Sequence, residues 1–166
     1  MKLSEEMTTA LNDQIALEMT ASQFYLSAAG WCEISGYDGG AAYFYAQADE
    51  EREHMLKIIK FMNNIGVRAI TPAVSQPNVN PTSLEDVISM SLANEQAVTV
   101  AINDILSLAY KLSEYSVIEI LEWFVAEQVH EESKFEAILQ KFETIGRDGL
   151  AVAEIDRILA TSPTED

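Results

Sequence analysis

The sequence predicts an all-α fold: a four-helix bundle with one long crossover between the second and third helices and a short fifth helix. Two observations predict it. The 166 residues contain four prolines and seven glycines, too few for the many turns of a β-sandwich or barrel. In addition, apolar side chains between these turn-forming residues recur at the spacing of amphipathic helices. We expect one domain over residues 1–166, with helices at about 4–34, 39–65, 83–111, 115–145 and 149–160.

The first two helices have clear ends in the sequence. Ser4 is a suitable N-cap for the first helix, because its hydroxyl can accept a hydrogen bond from the first turn. This helix should end before residues 35–40, which read Ser-Gly-Tyr-Asp-Gly-Gly and favour turns. The second helix should continue to Gly66. Residues 67–82 hold three of the four prolines, so they form the long crossover.

The third helix begins where two capping-box patterns overlap, Thr82 with Glu85 and Ser83 with Asp86. The fourth helix should stop before Gly146, and the short fifth helix precedes a polar tail. The long helices have about 27–31 residues each, which is roughly 40–46 Å. Because their lengths match, they can pack side by side as a bundle.

Charge and cysteine content exclude several functional classes. The net charge is −17, so the surface repels nucleic-acid phosphates and anionic lipid and favours cations as partners. The single cysteine, Cys32, cannot form an internal disulfide or a thiolate metal cage. Residues 1–6 contain no apolar signal core, and no apolar run is long enough to span a bilayer. We therefore expect a cytoplasmic protein that binds neither nucleic acid nor membrane.

Single carboxylates interrupt two apolar helices. Glu18 is the only charged residue within 14–32, and Glu95 is the only one within 87–103. Burying such a group without a partner would cost several kcal/mol. Each lies near the middle of its helix, where a bundle of matched helices would bring them to one level.

The other two long helices add polar groups at the same level. Glu51 and His54 share a face of the second helix, and Gln128 and Glu131 lie near the middle of the fourth. Four glutamates in one dry layer cannot all ionise without positive charge between them, and two divalent cations would balance them. Carboxylates with one imidazole suit iron or manganese. Single glutamates combined with a Glu-x-x-His pair are the known pattern of di-iron carboxylate bundles.

These residues give nearly the whole chain a resemblance to the bacterial non-haem ferritins. The matching positions are Glu18 with Tyr25, residues 50–54 (Glu-Glu-Arg-Glu-His), Asn94-Glu95-Gln96 and residues 123–128 (Trp-Phe-Val-Ala-Glu-Gln). The resemblance implies a ferritin-like bundle that assembles into a hollow homo-oligomer of 24 subunits. It also implies a ferroxidase, which oxidises Fe(II) with O2 or peroxide at a di-iron centre and stores Fe(III) mineral inside the shell.

The resemblance further implies which residues hold iron. One iron would be bound by Glu18, Glu51 and His54. Glu51 would bridge to a second iron held by Glu95 and Glu131.

Further residues would adjoin this centre. By the resemblance, Gln128 lies near the second iron, and Tyr25 is a candidate one-electron donor beside the site. Glu50, Glu127 and Glu131 would line a neighbouring third iron site. The implied catalytic residues are Tyr25, Glu18, Glu51 and His54.

Residue 130 departs from the family pattern. It is His where bacterial ferritins with a third site usually have Glu, and Glu127-x-x-His130 resembles the second metal motif of the haem-containing bacterioferritins. However, Arg52 stands where those proteins have the haem-ligating methionine, so we expect no haem. Adjacent helical residues are rotated by about 100°, so we expect Glu131 to complete the second iron site, with His130 beside Glu50 and Glu127. The role of His130, in the third site or in the di-iron centre, stays open at this point.

Three other classes of protein fit the sequence less well. A rubrerythrin-like peroxidase would carry a rubredoxin-type cysteine module, which one cysteine cannot form. A DNA-protecting relative with a small shell would place its ligands across a subunit interface. A non-catalytic helical binding module would not need Glu18, Glu95 and His54 at one level.

Overall fold

The computed structural model describes residues 3–162, so the domain expected over 1–166 extends at both ends outside the described residues. The helices are α1 (Glu5–Ser35), α2 (Asp38–Asn64), α3 (Leu84–Leu112), α4 (Tyr115–Ile145) and α5 (Gly149–Ala160). Residues 3–162 contain no β-strand, and the predicted all-α fold class is confirmed.

The four long helices pack as two hairpins. α1 packs along α2 and α3 packs along α4, and two residues link the members of each pair. Residues 65–83 cross over between the hairpins, and α1 also contacts α3. α5 packs mainly on α2. Within the described residues, no helix has the length and apolar character needed to cross a membrane.

Serine side chains cap the starts of α1 and α3. The Ser4 hydroxyl accepts a hydrogen bond from the Met7 N–H at 3.1 Å. The Ser83 hydroxyl accepts one from the Asp86 N–H at 3.1 Å, and the Asp86 carboxylate accepts the Thr82 N–H at 2.7 Å. These bonds satisfy backbone donors that have no partner within the first helical turn.

The start of α2 is capped by a residue of α5. Tyr37 makes no side-chain capping bond, but Asp156 accepts the N–H of Gly39 at 3.1 Å and that of Gly40 at 2.7 Å. A Cβ atom on Gly39 would lie 1.8 Å from the backbone oxygen of Asp156, so only glycine permits this packing. The two glycines, which the sequence places in a turn-forming segment, therefore lie in the first turn of α2, which begins at Asp38.

Two apolar clusters fill opposite ends of the bundle. One is built around Tyr25, Phe44 and Phe135, and the other includes Leu11 and Phe124. Between them lies a layer of buried polar side chains contributed by all four long helices: Glu18, Glu51, His54, Glu95, Gln128 and Glu131.

Candidate metal centre

The buried layer holds two groups of potential metal ligands. Glu18, Glu51 and His54 form the first, and Glu51, Glu95 and Glu131 form the second. Within each group the ligand atoms lie within 4.8 Å of one another. None of the five residues is more than 4% exposed. Because Glu51 belongs to both groups, its carboxylate can bridge two metal ions.

Helical register accounts for this convergence. Glu51 and His54 are three residues apart and therefore share one face of α2. Glu18 and Glu95 lie on the buried stripes of α1 and α3, which otherwise carry mainly apolar or small polar side chains. Glu131 lies on the corresponding stripe of α4. The four stripes face the bundle axis, and their ligand residues lie at the same height. The sequence predicts this arrangement, because each ligand lies near the middle of its helix.

Several oxygen and nitrogen atoms of the layer have no hydrogen-bond donor or acceptor. They include Oε2 of Glu18, both carboxylate oxygens of Glu51 and Nδ1 of His54. This Nδ1 lies 3.5 Å from Oε2 of Glu51, without the geometry of a hydrogen bond. A buried carboxylate oxygen without a donor is costly, and a divalent cation would satisfy it. The donor set, carboxylate oxygens with one imidazole nitrogen, suits iron or manganese.

Electrostatics within the layer favour protonated carboxyls in the metal-free protein. Burial raises the pKa of Glu18 well above its ordinary value, and the neighbouring Glu51 carboxylate raises it further. Burial, followed by the charge of Glu95, likewise raises the pKa of Glu51. The pKa of Glu95 is raised to about 7, first by burial and then by Glu131. Cation binding must therefore displace protons from these carboxyls.

Tyr25 and Gln128 support Glu95. The Tyr25 hydroxyl donates a hydrogen bond to Oε1 of Glu95, and Gln128 Nε2 donates to Oε2 at 3.2 Å. The Tyr25 ring is fully buried and stacks between Phe44 and Phe135, with 5.9 Å between ring centroids on each side. Burial, followed by the Glu95 charge, raises the Tyr25 pKa well above its ordinary value, so its proton stays on the phenol.

Two glutamines that the sequence analysis did not select also support the ligands. Gln14 donates to Oε1 of Glu18 at 2.7 Å, and Gln47 donates to Oε2 of Glu131 at 3.0 Å. Both glutamines are buried. Each stands four residues before a glutamate of the layer, Glu18 or Glu51, and this spacing is the signal that could have found them.

A third group of ligands lies on the outer side of the layer. It consists of Glu50, His54 and Glu127, and Nε2 of His54 lies 4.0 Å from Oε1 of Glu127. The group opens into a surface groove of about 670 Å³, lined also by Glu53 and Trp123. The imidazole of His54 therefore faces the inner layer through Nδ1 and the outer group through Nε2.

This outer group differs from the third iron site that the resemblance implies. The structure brings Glu50 and Glu127 together with His54, whereas Glu131 points to the inner layer. His130 is exposed and belongs to none of the three groups that the described residues form. The reason is its rotation on α4: it lies about 60° farther around the helix than Glu127, away from the buried stripe.

A lysine that the sequence analysis did not select lies beside Glu131. Nζ of Lys134 is 2.7 Å from Oε1 of Glu131 and 3.2 Å from Oε2 of Glu50. It stands three residues after Glu131, so the helical spacing of a glutamate and a lysine was the available signal.

Comparison with known proteins identifies the family of this chain. The family model of the ferritin-like domain matches residues 8–145. The chain is 34% identical over 163 residues to a probable bacterial non-heme ferritin-like protein of Haemophilus influenzae, covering 98% of this chain and 99% of that protein. It is 37% identical over 147 residues to the bacterial non-heme ferritin of Campylobacter jejuni, covering 89% and 88% of the two chains.

Solved structures of ferritins are also similar to this chain. A structure of the Archaeoglobus fulgidus ferritin, engineered to a closed form, superposes with a TM-score of 0.94 at 30% identity. The superposition covers 99% of this chain and 100% of that one. The resemblance inferred from the sequence is thereby confirmed. The chain belongs to the ferritin family.

Proposed function

We propose that this protein is a ferroxidase that oxidises Fe(II) at the two inner groups and stores Fe(III) mineral within a shell of its own subunits. The observation that carries the proposal is the shared ligand Glu51, whose two carboxylate oxygens are buried and have no hydrogen-bond donor. One carboxylate positioned between two ligand groups suits two adjacent cations. Membership of the ferritin family supports iron as the substrate.

The ligands balance the charge of the substrate. Glu18, Glu51, Glu95 and Glu131 carry four formal negative charges when ionised, which two Fe(II) ions neutralise. Because the pKa values of Glu18, Glu51 and Glu95 are raised, these carboxyls release protons as iron binds. Two Fe(II) ions supply two electrons, and with two protons these convert O2 to hydrogen peroxide. If peroxide is the oxidant, the same electrons and two protons yield water.

The outer group provides a route to this centre. Its members, Glu50, His54 and Glu127, lie between the groove and the buried layer. Carboxylates at the groove attract Fe(II) and replace part of its hydration shell. His54 connects this route to the centre, because the same ring belongs to the outer group and to the first inner group.

Tyr25 lies close enough to the centre to act on it. Its hydroxyl bonds to Glu95, one of the second group's ligands. We propose that it orients this carboxylate and can supply one electron to the oxidation. Gln128 fixes the other oxygen of Glu95.

The shell is the second part of the proposal. We infer a homo-oligomer of 24 subunits in the cytoplasm, in which the centre of each subunit delivers Fe(III) to the common cavity. The net charge of −17 on each subunit favours attraction of iron cations to such a shell. Gel filtration should give a particle near twenty-four times 18.4 kDa, and a dimer would contradict the shell.

Stopped-flow absorbance tests the centre. The metal-free protein is loaded anaerobically with two Fe(II) per subunit and mixed with O2. Glu18→Ala and His54→Ala should each slow the first turnover by about a hundredfold, because each removes a ligand of the first group. Glu119→Gln, which removes the charge of an exposed glutamate of α4, is the matched control and should leave the rate unchanged. Unchanged rates in both ligand variants would refute the proposed centre.

A further inference from the structure

Lys134 is surrounded by oxygen atoms of three other side chains. Its Nζ lies 2.7 Å from Oε1 of Glu131, 3.3 and 3.2 Å from the two oxygens of Glu50, and 3.3 Å from Oε1 of Gln47. The lysine side chain is only 20% exposed, and the Glu131 side chain is fully buried. This arrangement is unlike that of an ordinary surface lysine such as Lys141, which is exposed on the same helix.

The environment of the ammonium group is that of a bound cation. Two carboxylates and one amide oxygen converge on it from α2 and α4. Glu50 and Glu131 are also two of the three residues that the family resemblance assigns to a third iron site. The ammonium therefore lies between two of the residues that the resemblance implies for that site.

We propose that Lys134 permanently fills the cation position between Glu50 and Glu131 and keeps a divalent ion from binding there. The inference rests on the proposed function, because it assumes that the two inner groups bind metal. An ammonium group about 3 Å from these oxygens excludes by volume and by charge an ion that would need the same oxygens at about 2 Å.

The charge of the three ligand groups agrees with the exclusion of an ion beside Lys134. The three ligand groups contain six carboxylates: Glu18, Glu50, Glu51, Glu95, Glu127 and Glu131. Two divalent cations and one ammonium group bring five positive charges to these six negative charges. A third divalent ion beside the lysine would leave an excess of positive charge in a largely buried site.

Zinc titration of the assembled, metal-free protein tests the proposal, since Zn²⁺ has no redox chemistry. Calorimetry counts the ions bound per subunit, and anomalous diffraction at the zinc edge locates them. Lys134→Met removes the charge and preserves most of the volume. It should bind one more ion per subunit than the parent, with a new peak between Glu50 and Glu131. Lys134→Gln, a second uncharged variant, should behave in the same way if the methionine variant does not assemble.

Two variants test whether the positive charge of Lys134, rather than its packing, determines the number of bound ions. Lys134→Arg keeps the cation and should return the count to that of the parent, which a merely structural role of the lysine would not require. Lys141→Met removes a lysine charge from the exposed face of α4 and should not change the count.

The outcomes distinguish this proposal from the proposed function. If the two inner groups fill in parent and variants alike and no ion is added when Lys134 is neutralised, the role of Lys134 is wrong. An ion between Glu50 and Glu131 in the parent would also overturn it. If zinc fills neither inner group in the parent, the proposed two-metal centre itself fails.

Discussion

The carboxylates of the metal centre differ from the carboxylate of Asp156 in what the protein places around them. At the start of α2, each oxygen of Asp156 accepts a backbone N–H, one from Gly39 and one from Gly40. In the buried layer, both oxygens of Glu51 have no donor, and one oxygen of Glu18 has none. The first carboxylate is satisfied by the folded chain itself, whereas the others need a proton or a cation.

This difference separates structural from functional carboxylates. Asp156 compensates unpaired N–H groups at a helix N-terminus, where negative charge is stabilising, so it should contribute to the stability of the fold. Glu18 and Glu51 crowd together in a dry layer, so in the metal-free protein they oppose folding when ionised. Substitution should therefore have opposite consequences in the two regions.

The largest expected effect is on oxidation, and it comes from Glu131. Glu131→Gln keeps the shape of the side chain but removes the charge of a ligand of the second group, so the first turnover of two Fe(II) per subunit should slow by about a hundredfold. His130→Ala alters an exposed side chain outside the three groups and should spare that step. Stopped-flow absorbance measures both. The reverse result would show that His130 completes the second iron site.

Substitution of Gly39, which packs against Asp156, should affect the stability of the fold instead of the oxidation rate. Gly39→Ala places a Cβ atom 1.8 Å from the backbone oxygen of Asp156, so α5 must move away from α2. We expect a loss of up to about 3 kcal/mol in the free energy of unfolding, measured by guanidinium denaturation. Gly30→Ala is the control, since its Cβ atom meets nothing within 4 Å and it lies inside α1. Equal stability of the two variants would contradict the close packing of α5.

The metal-free protein should become more stable as pH falls. The pKa values of Glu18, Glu51 and Glu95 are raised in the folded state, that of Glu95 to about 7 from an ordinary 4.5. Between these two values the folded state binds more protons than the unfolded chain, so its stability decreases as pH rises through this window. The unfolding temperature in fixed guanidinium should therefore rise from about pH 8 to about pH 5.5.

Added zinc should remove this trend, because a metal ion binds the deprotonated ligands. Metal removal by chelation should restore it. If the metal-free protein instead loses stability over the same pH range, the carboxyls of the layer do not dominate its pH response.

The smallest of these effects should come from Asp156. Asp156→Ala removes the acceptor for two N–H groups of α2, which should lower the free energy of unfolding by about 1 kcal/mol. The first turnover with Fe(II) should be unchanged, because Asp156 belongs to none of the ligand groups among residues 3–162. Measuring denaturation and stopped-flow rates on the same preparation checks both parts.

Much of the fold could be predicted because its signals are local. The Ser4 and Ser83 caps, the proline-containing crossover and the helical spacing of apolar residues depend only on neighbouring residues. The candidate centre was also accessible, because a lone glutamate such as Glu18 or Glu95 is conspicuous in an apolar helix. Matched helix lengths then place these glutamates at one level.

Contacts between helices could not be predicted in the same way. Asp156 of α5 caps α2, although it follows Gly39 by 117 residues in the sequence. The exposure of His130 depends on how far α4 is rotated about its axis, and one residue changes that direction by about 100°.

The sequence by itself determined the helices, their order and the set of carboxylates near their midpoints, because each of these depends on spacing along one segment. Only the tertiary structure decided which oxygens lack donors, that Glu50 and Glu127 group with His54, and that Lys134 lies against Glu131. The physical reason is that a charge pair or a ligand group depends on distances of a few ångströms between side chains. Those distances are set by the packing and rotation of whole helices, which no local pattern specifies.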